Sequence, residues 1–395
     1  MRSRNFFIEV ECFQLNKDRN ILCGDVFLSR KIKNEDRVVV AFSDGLGSGV
    51  KANVLATLTT SMAVNFTMSN EPVEQAAVNI MDTLPVDSSR KISYATFSIA
   101  DIESDGETRI VEFDNPRYLL VRDGAVEHVN RDEIIIKGHS ERNRQMYQSH
   151  FMAQKEDRLV LFSDGVTQSG IGTNDMPFGW EDEGVEAFVL SMIKENQTIS
   201  AHHLARKVVL RANANDVYKA KDDISCAVVY FREPRRLLIC SGPPYNNDKD
   251  SYLAQLVENY SGKKIVCGGT TAQIVSRELH RDIEVGMLSD KSGLPPASKM
   301  EGVELVTEGI LTIGKVAEML EGLSTSEVEG VGPAFEIVKL LLKSDVIDFV
   351  IGTKINVAHQ DPSLPVELEI RRNVVKRIVR VLEEKFLKEV NLQFI

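Results

Sequence analysis

The sequence predicts two folded parts of different class: an α+β domain over residues 1–232, and a smaller α/β domain with a parallel sheet over residues 235–395. Three observations carry this division. Up to about Phe231 the strand candidates are short, and several are joined by Asp-Gly turns with helices interspersed. A charged, proline-containing segment, Phe231-Arg232-Glu233-Pro234-Arg235-Arg236, then interrupts the pattern. Beyond it the chain alternates strand, glycine-rich loop and helix, the rhythm of parallel sheets. A chain of 395 residues suits two or three domains at ~100–200 residues each.

Taken in order, Arg37–Phe42 is an apolar run of buried-strand type. Val50–Met68 carries Val54, Leu55, Leu58, Met62 and Val64 near a 3.6-residue period and predicts a helix. Val73–Leu84 predicts a second, with Pro72 at its start. Tyr94–Ile102 reads as a strand, Asp105-Gly106 as a hairpin turn and Thr108–Phe113 as the returning strand. Tyr118–Arg122, Asp123-Gly124 and Val126–Val129 repeat that arrangement. Arg158–Phe162 and Ser225–Phe231 predict core strands, and Gly184–Lys194 and Ser200–Ala212 predict helices. In the second part, strands are expected at Leu237–Cys240, Lys264–Cys267, Val303–Val306 and Val346–Ile351, followed by a long charged helix over Glu367–Val390.

Composition narrows the function. The formal net charge of -11 disfavours nucleic-acid or anionic-membrane binding, which calls for a basic surface. The five cysteines, an odd number without a C-x-x-C pair, predict neither a disulfide framework nor a zinc site. With no apolar stretch of membrane-spanning length, the expected location is the cytoplasm.

The strongest local signal is a pair of similar strand ends. Val38-Val39-Val40-Ala41-Phe42-Ser43-Asp44-Gly45 and Leu159-Val160-Leu161-Phe162-Ser163-Asp164-Gly165 each place an aspartate just past an apolar strand, with glycine next to permit a sharp turn. Asp25 follows Gly24, and Asp222-Asp223 precede Ile224, each at the edge of a predicted strand. One Asp-Gly alone is an ordinary turn dipeptide. Several carboxylates brought together repel one another, and a hard divalent cation such as Mg²⁺ or Mn²⁺ resolves the conflict through oxygen ligands. Two such ions roughly 3.5–4 Å apart can share a water and lower its pKa, which suits attack on phosphorus.

The ordered set Gly24-Asp25, Ser43-Asp44-Gly45-Leu46-Gly47-Ser48-Gly49, Phe162-Ser163-Asp164-Gly165-Val166-Thr167 and Asp222-Asp223-Ile224-Ser225 resembles the SpoIIE-type branch of the metal-dependent (PPM) protein serine/threonine phosphatases. The resemblance spans roughly residues 5–231, with Tyr94-Ala95-Thr96-Phe97 at the family's central strand and Asp114-Asn115-Pro116 at its turn. It implies an αββα sandwich holding two Mn²⁺ or Mg²⁺ ions. Asp44 would bridge them with the Gly45 carbonyl on one; Asp164 and Asp222 would hold the other; Asp25 would add a carboxylate, and Asp223 would ligate or orient the site. Asp44 and Asp164 would thus be the catalytic residues. The substrate implied is a phosphorylated protein, of which an anti-sigma-factor antagonist is the kind the family suggests, and a homodimer is compatible with this reading. The helices after the first Asp-Gly motif would be regulatory.

Departures accompany the match. The arginine clamp for phosphate of the family's eukaryotic members has no clear counterpart, with Arg19 and Arg30 the only candidates, and no histidine precedes His128 to act as an acid. Lys51, in the first turn of a helix opened by Gly47-Ser48-Gly49, is a candidate phosphate contact, although a solvated lysine is the plainer reading. In the second part, Gly268-Gly269-Thr270-Thr271 is the best candidate for an anion site, set against simple helix capping. It matches no Walker or Rossmann fingerprint. His202-His203 reads as packing or surface, and Cys267 as a buried structural thiol. Two other functions compete with protein dephosphorylation: a catalytically silent scaffold of the same fold, and a small-molecule phosphatase.

Overall fold

The computed structural model describes residues 6–32, 37–69, 71–83, 95–136, 144–286, 294–323, 328, 330–354, 366–386 and 388–395. The chain divides into two compact units, Met1–Glu233 and Pro234–Ile395.

The first unit runs β1 (Phe7–Leu15), β2 (Asp25–Ile32), β3 (Arg37–Asp44), α1 (Val50–Met68), α2 (Val73–Thr83), β4 (Phe97–Ile102), β5 (Glu107–Phe113), β6 (Leu119–Arg122), β7 (Ala125–Glu127), β8 (Arg131–Ile136), β9 (Arg144–Met152), β10 (Arg158–Phe162), α3 (Asp164–Thr167), α4 (Glu181–Glu195), α5 (Ala201–Asn215) and β11 (Ile224–Arg232). The strands form two antiparallel sheets, ordered β1-β11-β10-β6-β7 and β2-β3-β4-β5-β9-β8. The turn at Asp123-Gly124 takes positive φ at both residues (50° and 78°), as a tight two-residue hairpin requires. Of the strand expected over Tyr94–Ile102, Tyr94 lies outside the described residues and regular pairing begins at Phe97.

Side-chain alternation builds the layers. Val38 and Val40 of β3 point with Ala100, Ile102 and Ile110 into a core shared with Leu120, Leu159, Leu161, Val229 and Phe231 of the other sheet. Val39 and Ala41 point the opposite way, onto Ala63, Val64, Ala77 and Ile80 of α1 and α2. On the far side, α4 and α5 pack Val185, Val189, Leu204 and Val208 against Val160, Phe162, Cys226 and Val228. The result is helix, sheet, sheet, helix. Burial on both faces explains why the strand over Val38–Phe42 is continuously apolar instead of alternating.

The face of α1 departs from expectation. Its buried residues are Ala52, Ala56, Thr59, Thr60, Ala63, Val64 and Thr67, whereas Val54 (58% exposed) and Leu58 (45%) face outward. Small residues on the inner face let the helix lie close to β2 and β3, which bulky ones would prevent.

The second unit contains β12 (Arg236–Ser241), α6 (Asp250–Asn259), β13 (Lys263–Cys267), α7 (Gly269–Leu279), β14 (Ser298–Met300), β15 (Val303–Thr307), α8 (Ile310–Gly322), α9 (Pro333–Lys343), β16 (Val346–Ile351), α10 (Val366–Glu384) and β17 (Glu389–Phe394). Its sheet is ordered β14-β15-β13-β12-β16-β17, and every pairing except the β14–β15 edge is parallel. The long helix expected over Glu367–Val390 stops at Glu384. The residues beyond it form β17, with Val390 and Leu392 packed on the core at strand spacing. Among the described residues no helix is long and apolar enough to cross a membrane. All five cysteines are free thiols.

Candidate active site

The acids arrive from the ends of four strands. Asp25 begins β2 and Asp44 ends β3, and antiparallel register sets them directly opposite each other. Asp164 opens α3 immediately after β10, and Asp222 and Asp223 precede β11, the strand beside β10. Ser163 and Ser225 lace those two ends together: Ser163 N–H donates to the Ser225 carbonyl at 3.1 Å, and Ser225 N–H donates to Ser163 Oγ at 3.1 Å. The two sheets are strapped across the site. Gln14 Nε2 donates to the Asp25 carbonyl at 3.2 Å and to Ser225 Oγ at 3.0 Å.

Asp223 is the main strap. Its carboxylate accepts from Lys17 N–H at 2.9 Å and from Gly24 N–H at 2.9 Å, so each oxygen carries a backbone amide of the segment leading to Asp25. That makes it a brace, set apart from the more open Asp222, whose Oδ1 lies 3.5 Å from Lys17 Nζ.

The glycines beside the acids serve a purpose other than turning. Neither Gly45 nor Gly165 takes positive φ. A Cβ on Gly45 would lie 2.1 Å from the Ala52 carbonyl oxygen of α1, and one on Gly165 would lie 2.0 Å from the Asp223 carbonyl oxygen. Only glycine admits these approaches.

The resulting electrostatics are adverse to four ionised carboxylates. Burial, then Asp25, Asp164 and Asp222, push Asp44 up to about 9. Burial pushes Asp25 up to about 7; the Ser225 and Ser163 hydroxyls oppose this from nearby, although neither forms a hydrogen bond of normal geometry with it. Asp164 is raised by burial and by Asp222. Asp25 is the telling member: it is 2% exposed, and neither carboxylate oxygen meets a hydrogen-bond donor. A buried, unpartnered carboxylate is costly, and a cation is the partner that relieves it. An all-oxygen acidic set fits Mg²⁺ or Mn²⁺. Among the described residues, no three His, Cys, Asp or Glu side chains are drawn together tightly enough to grip an ion, so the fit rests on charge and donor type.

Asp25, Asp44, Asp164 and Asp222 lie within electrostatic reach of one another, with Gly45 pressed against α1. Lys51 is exposed in the first turn of α1. Arg19 is 93% exposed beside Asp18, and Arg30 is exposed on β2. Several positioning residues escape sequence reasoning. Thr96 N–H donates to the Asp44 carbonyl at 2.9 Å, and Asp44 N–H donates to Thr96 Oγ1 at 3.2 Å. Thr96 Oγ1 in turn donates to Asn115 Oδ1, whose amide reaches Ser98 Oγ at 2.9 Å. Asn53 of α1 donates to the Cys23 carbonyl at 2.8 Å, and Gln168 donates to Asp164 Oδ2 at 2.9 Å. Asn115 sits in a turn singled out from the sequence, but its bond to Thr96 spans the fold. Elsewhere His203 helps cap α5 through Ser200, and His202 stacks edgewise on Phe13.

The profile of the Stage II sporulation protein E (SpoIIE) family matches residues 34–232. No curated protein matches the chain. Among solved structures, the chain is similar to the phosphatase domain of SpoIIE from Bacillus subtilis, at 15% identity and TM-score 0.45, covering 59% of this chain and 95% of that one. The RsbU and RsbW domains of a Mycobacterium tuberculosis protein match at 14% identity and TM-score 0.46, over 64% of this chain and 68% of theirs. RsbX in complex with magnesium matches at 19% identity and TM-score 0.39, over 57% of this chain and 95% of that one.

Proposed function

The chain belongs to the SpoIIE family of PPM protein serine/threonine phosphatases, and from that premise we propose that residues 1–232 hydrolyse phosphoserine or phosphothreonine on a cytoplasmic signalling protein, of the anti-sigma-factor-antagonist kind. The observation that carries this reading is the buried, unpartnered Asp25 facing Asp44 across the β2–β3 register, with Asp164 and Asp222 brought in from the other sheet.

Asp25, Asp44, Asp164 and Asp222 would hold two divalent cations. When bound, these ions lower the pKa of water and neutralise phosphate oxygens. The chain's own residues position everything else. Thr96 and Asn115 fix Asp44, Gln168 fixes the Asp164 carboxylate, and Asp223 fixes the segment entering Asp25. The α1 amides ahead of its first intrahelical bond, from Asn53 N–H to the Gly49 carbonyl, together with Lys51, would be the groups to meet a phosphate. In the reaction a water oxygen bonds to phosphorus as the ester P–O bond breaks, and the departing serine or threonine oxygen takes its proton from solvent. The test is hydrolysis of an aryl phosphate and a phosphopeptide with Mn²⁺. Activity that chelator abolishes, and that Asp44→Asn and Asp164→Asn lack, is expected. Full activity in metal-free buffer, or in both variants, overturns the proposal.

A further inference from the structure

The second unit has a cavity that the phosphatase chemistry does not use. Counted along the chain, the parallel strands β12, β13, β15, β16 and β17 lie in the spatial order 3-2-1-4-5. The chain winds outward from β12 through β13 and β15, then returns to the other side of β12 with β16 and β17. The helices follow that reversal: α6 and α7 pack together, while α8 packs with α9 and α10. Ligands of such doubly wound sheets bind beyond the carboxyl ends of the strands, near the reversal. A cavity of about 350 Å³ lies at the carboxyl ends of β12, β13 and β15, on one side of that reversal, and is lined by the last residues of β12 and β13, by the turns after all three strands and by Arg371 of α10. That volume suits a small molecule.

We propose that this cavity binds a small phosphate monoester that also carries hydroxyl groups, a mononucleotide or a sugar phosphate. Two helix N-termini meet at it. The first intrahelical bond of α7 is Ala272 N–H to the Gly268 carbonyl, which leaves the amides of Gly269, Thr270 and Thr271 ahead of it. Neither α7 nor α8 has a side-chain cap, and their N-cap residues are Gly268 and Gly309 instead of a serine, threonine or aspartate. These two glycines pack closely: a Cβ on Gly309 would lie 3.4 Å from Gly268 Cα. Gly269, by contrast, has no atom within 4 Å of its would-be Cβ, so the space before the amides is open.

The independent observation is a pair of buried hydroxyls. Ser241 and Thr271 are lining residues of the cavity, both are 1% exposed, and neither hydroxyl has a hydrogen-bond partner. Buried hydroxyls are ordinarily satisfied, and a phosphate oxygen would satisfy these. Arg371 supplies the positive charge. Its Nη1 donates to the Gly352 carbonyl at 3.4 Å, and a Cβ on Gly242 would come within 2.5 Å of that nitrogen, so glycine is what admits the guanidinium. Glu308, also at the cavity, argues for an ester over free phosphate, since its carboxylate suits ligand hydroxyl donors. The first turn, Ser241-Gly242-Pro243-Pro244, puts prolines where a dinucleotide site would offer amides, which limits the ligand to one phosphate.

The test is calorimetry on the full chain with chelator present, which idles the metal-dependent chemistry. The probes are adenosine 5′-monophosphate, ribose 5-phosphate, adenosine and inorganic phosphate. One monoester is expected to bind saturably, with inorganic phosphate competing and adenosine at least about tenfold weaker. The tighter of the two monoesters identifies the source. Gly269→Glu, which sets a carboxylate before the amides, and Thr271→Val, which removes one hydroxyl, should each weaken binding about tenfold or more at unchanged unfolding temperature. Should Gly269→Glu fail to fold, Thr271→Val decides. The proposal is overturned if neither monoester binds at millimolar concentration, if adenosine or inorganic phosphate binds as tightly as both, or if the folded variants bind undiminished.

Discussion

Both units end their strands in polar residues and glycines, yet the same punctuation does opposite things in them. In the first unit Gly45 and Gly165 are filled from outside, with backbone oxygens 2.1 Å and 2.0 Å from where a Cβ would be. In the second, Gly269 faces open space. The charges differ as well. Asp25, Asp44 and Asp164 concentrate negative charge that burial makes expensive, beside the more open Asp222. The α7 and α8 N-termini with Arg371 instead concentrate partial and full positive charge. A glycine beside a strand end thus marks either a close packing contact or room for a ligand, and only the surrounding fold separates the two.

Four measurements test this contrast. The largest effect belongs to the acidic site. Asp44→Asn should lower kcat on an aryl phosphate by about 10²–10³-fold or more, in line with removal of one preorganised electrostatic group. A loss below tenfold would remove Asp44 from the chemistry. Next, Gly165→Ala forces a methyl onto the Asp223 carbonyl and should cost about 1–3 kcal/mol in a denaturant titration. Third, Asp223→Ala strands the Lys17 and Gly24 amides and should also cost about 1–3 kcal/mol, whereas Asp222→Ala, which frees only the neighbouring Asp223 amide, should cost no more than about 1 kcal/mol while impairing turnover. Equal stability losses for the two would erase the distinction between brace and ligand. The smallest effect is Gly269→Ala, which meets no atom within 4 Å and should stabilise the chain by about 0.4–1 kcal/mol through the unfolded state. A clear destabilisation would show that Gly269 is a packing contact after all.

Much of the first unit is legible in the sequence because its signals are local. Val38–Phe42 and Leu159–Phe162 announce buried strands, and Asp123-Gly124 announces its hairpin. The acids at strand ends are legible for the same reason. What depends on distant partners is not. Thr96, just ahead of β4, is unremarkable until Asn115 and Asp44 are brought beside it. Lys17 acquires meaning only when β11 places Asp222 and Asp223 next to it. The outward valine and leucine of α1 mislead because periodicity identifies a helix without saying which face its neighbours can approach. The end of α10 is missed because charged helical spacing runs on toward Phe386, while the two-residue alternation of β17 spans only six residues.

The contact between Gly45 and Ala52 has a mechanical consequence. Backbone lies against backbone there, and no side chain stands between to give way. Asn53, the next residue of the helix, is tied to the Cys23 carbonyl on the segment that enters Asp25. A single turn of α1 is thus coupled to the chain on both sides of the carboxylate pair. A displacement of that turn along its axis would bear directly on the residue after Asp44 and, through the Asn53 amide, on the segment that enters Asp25.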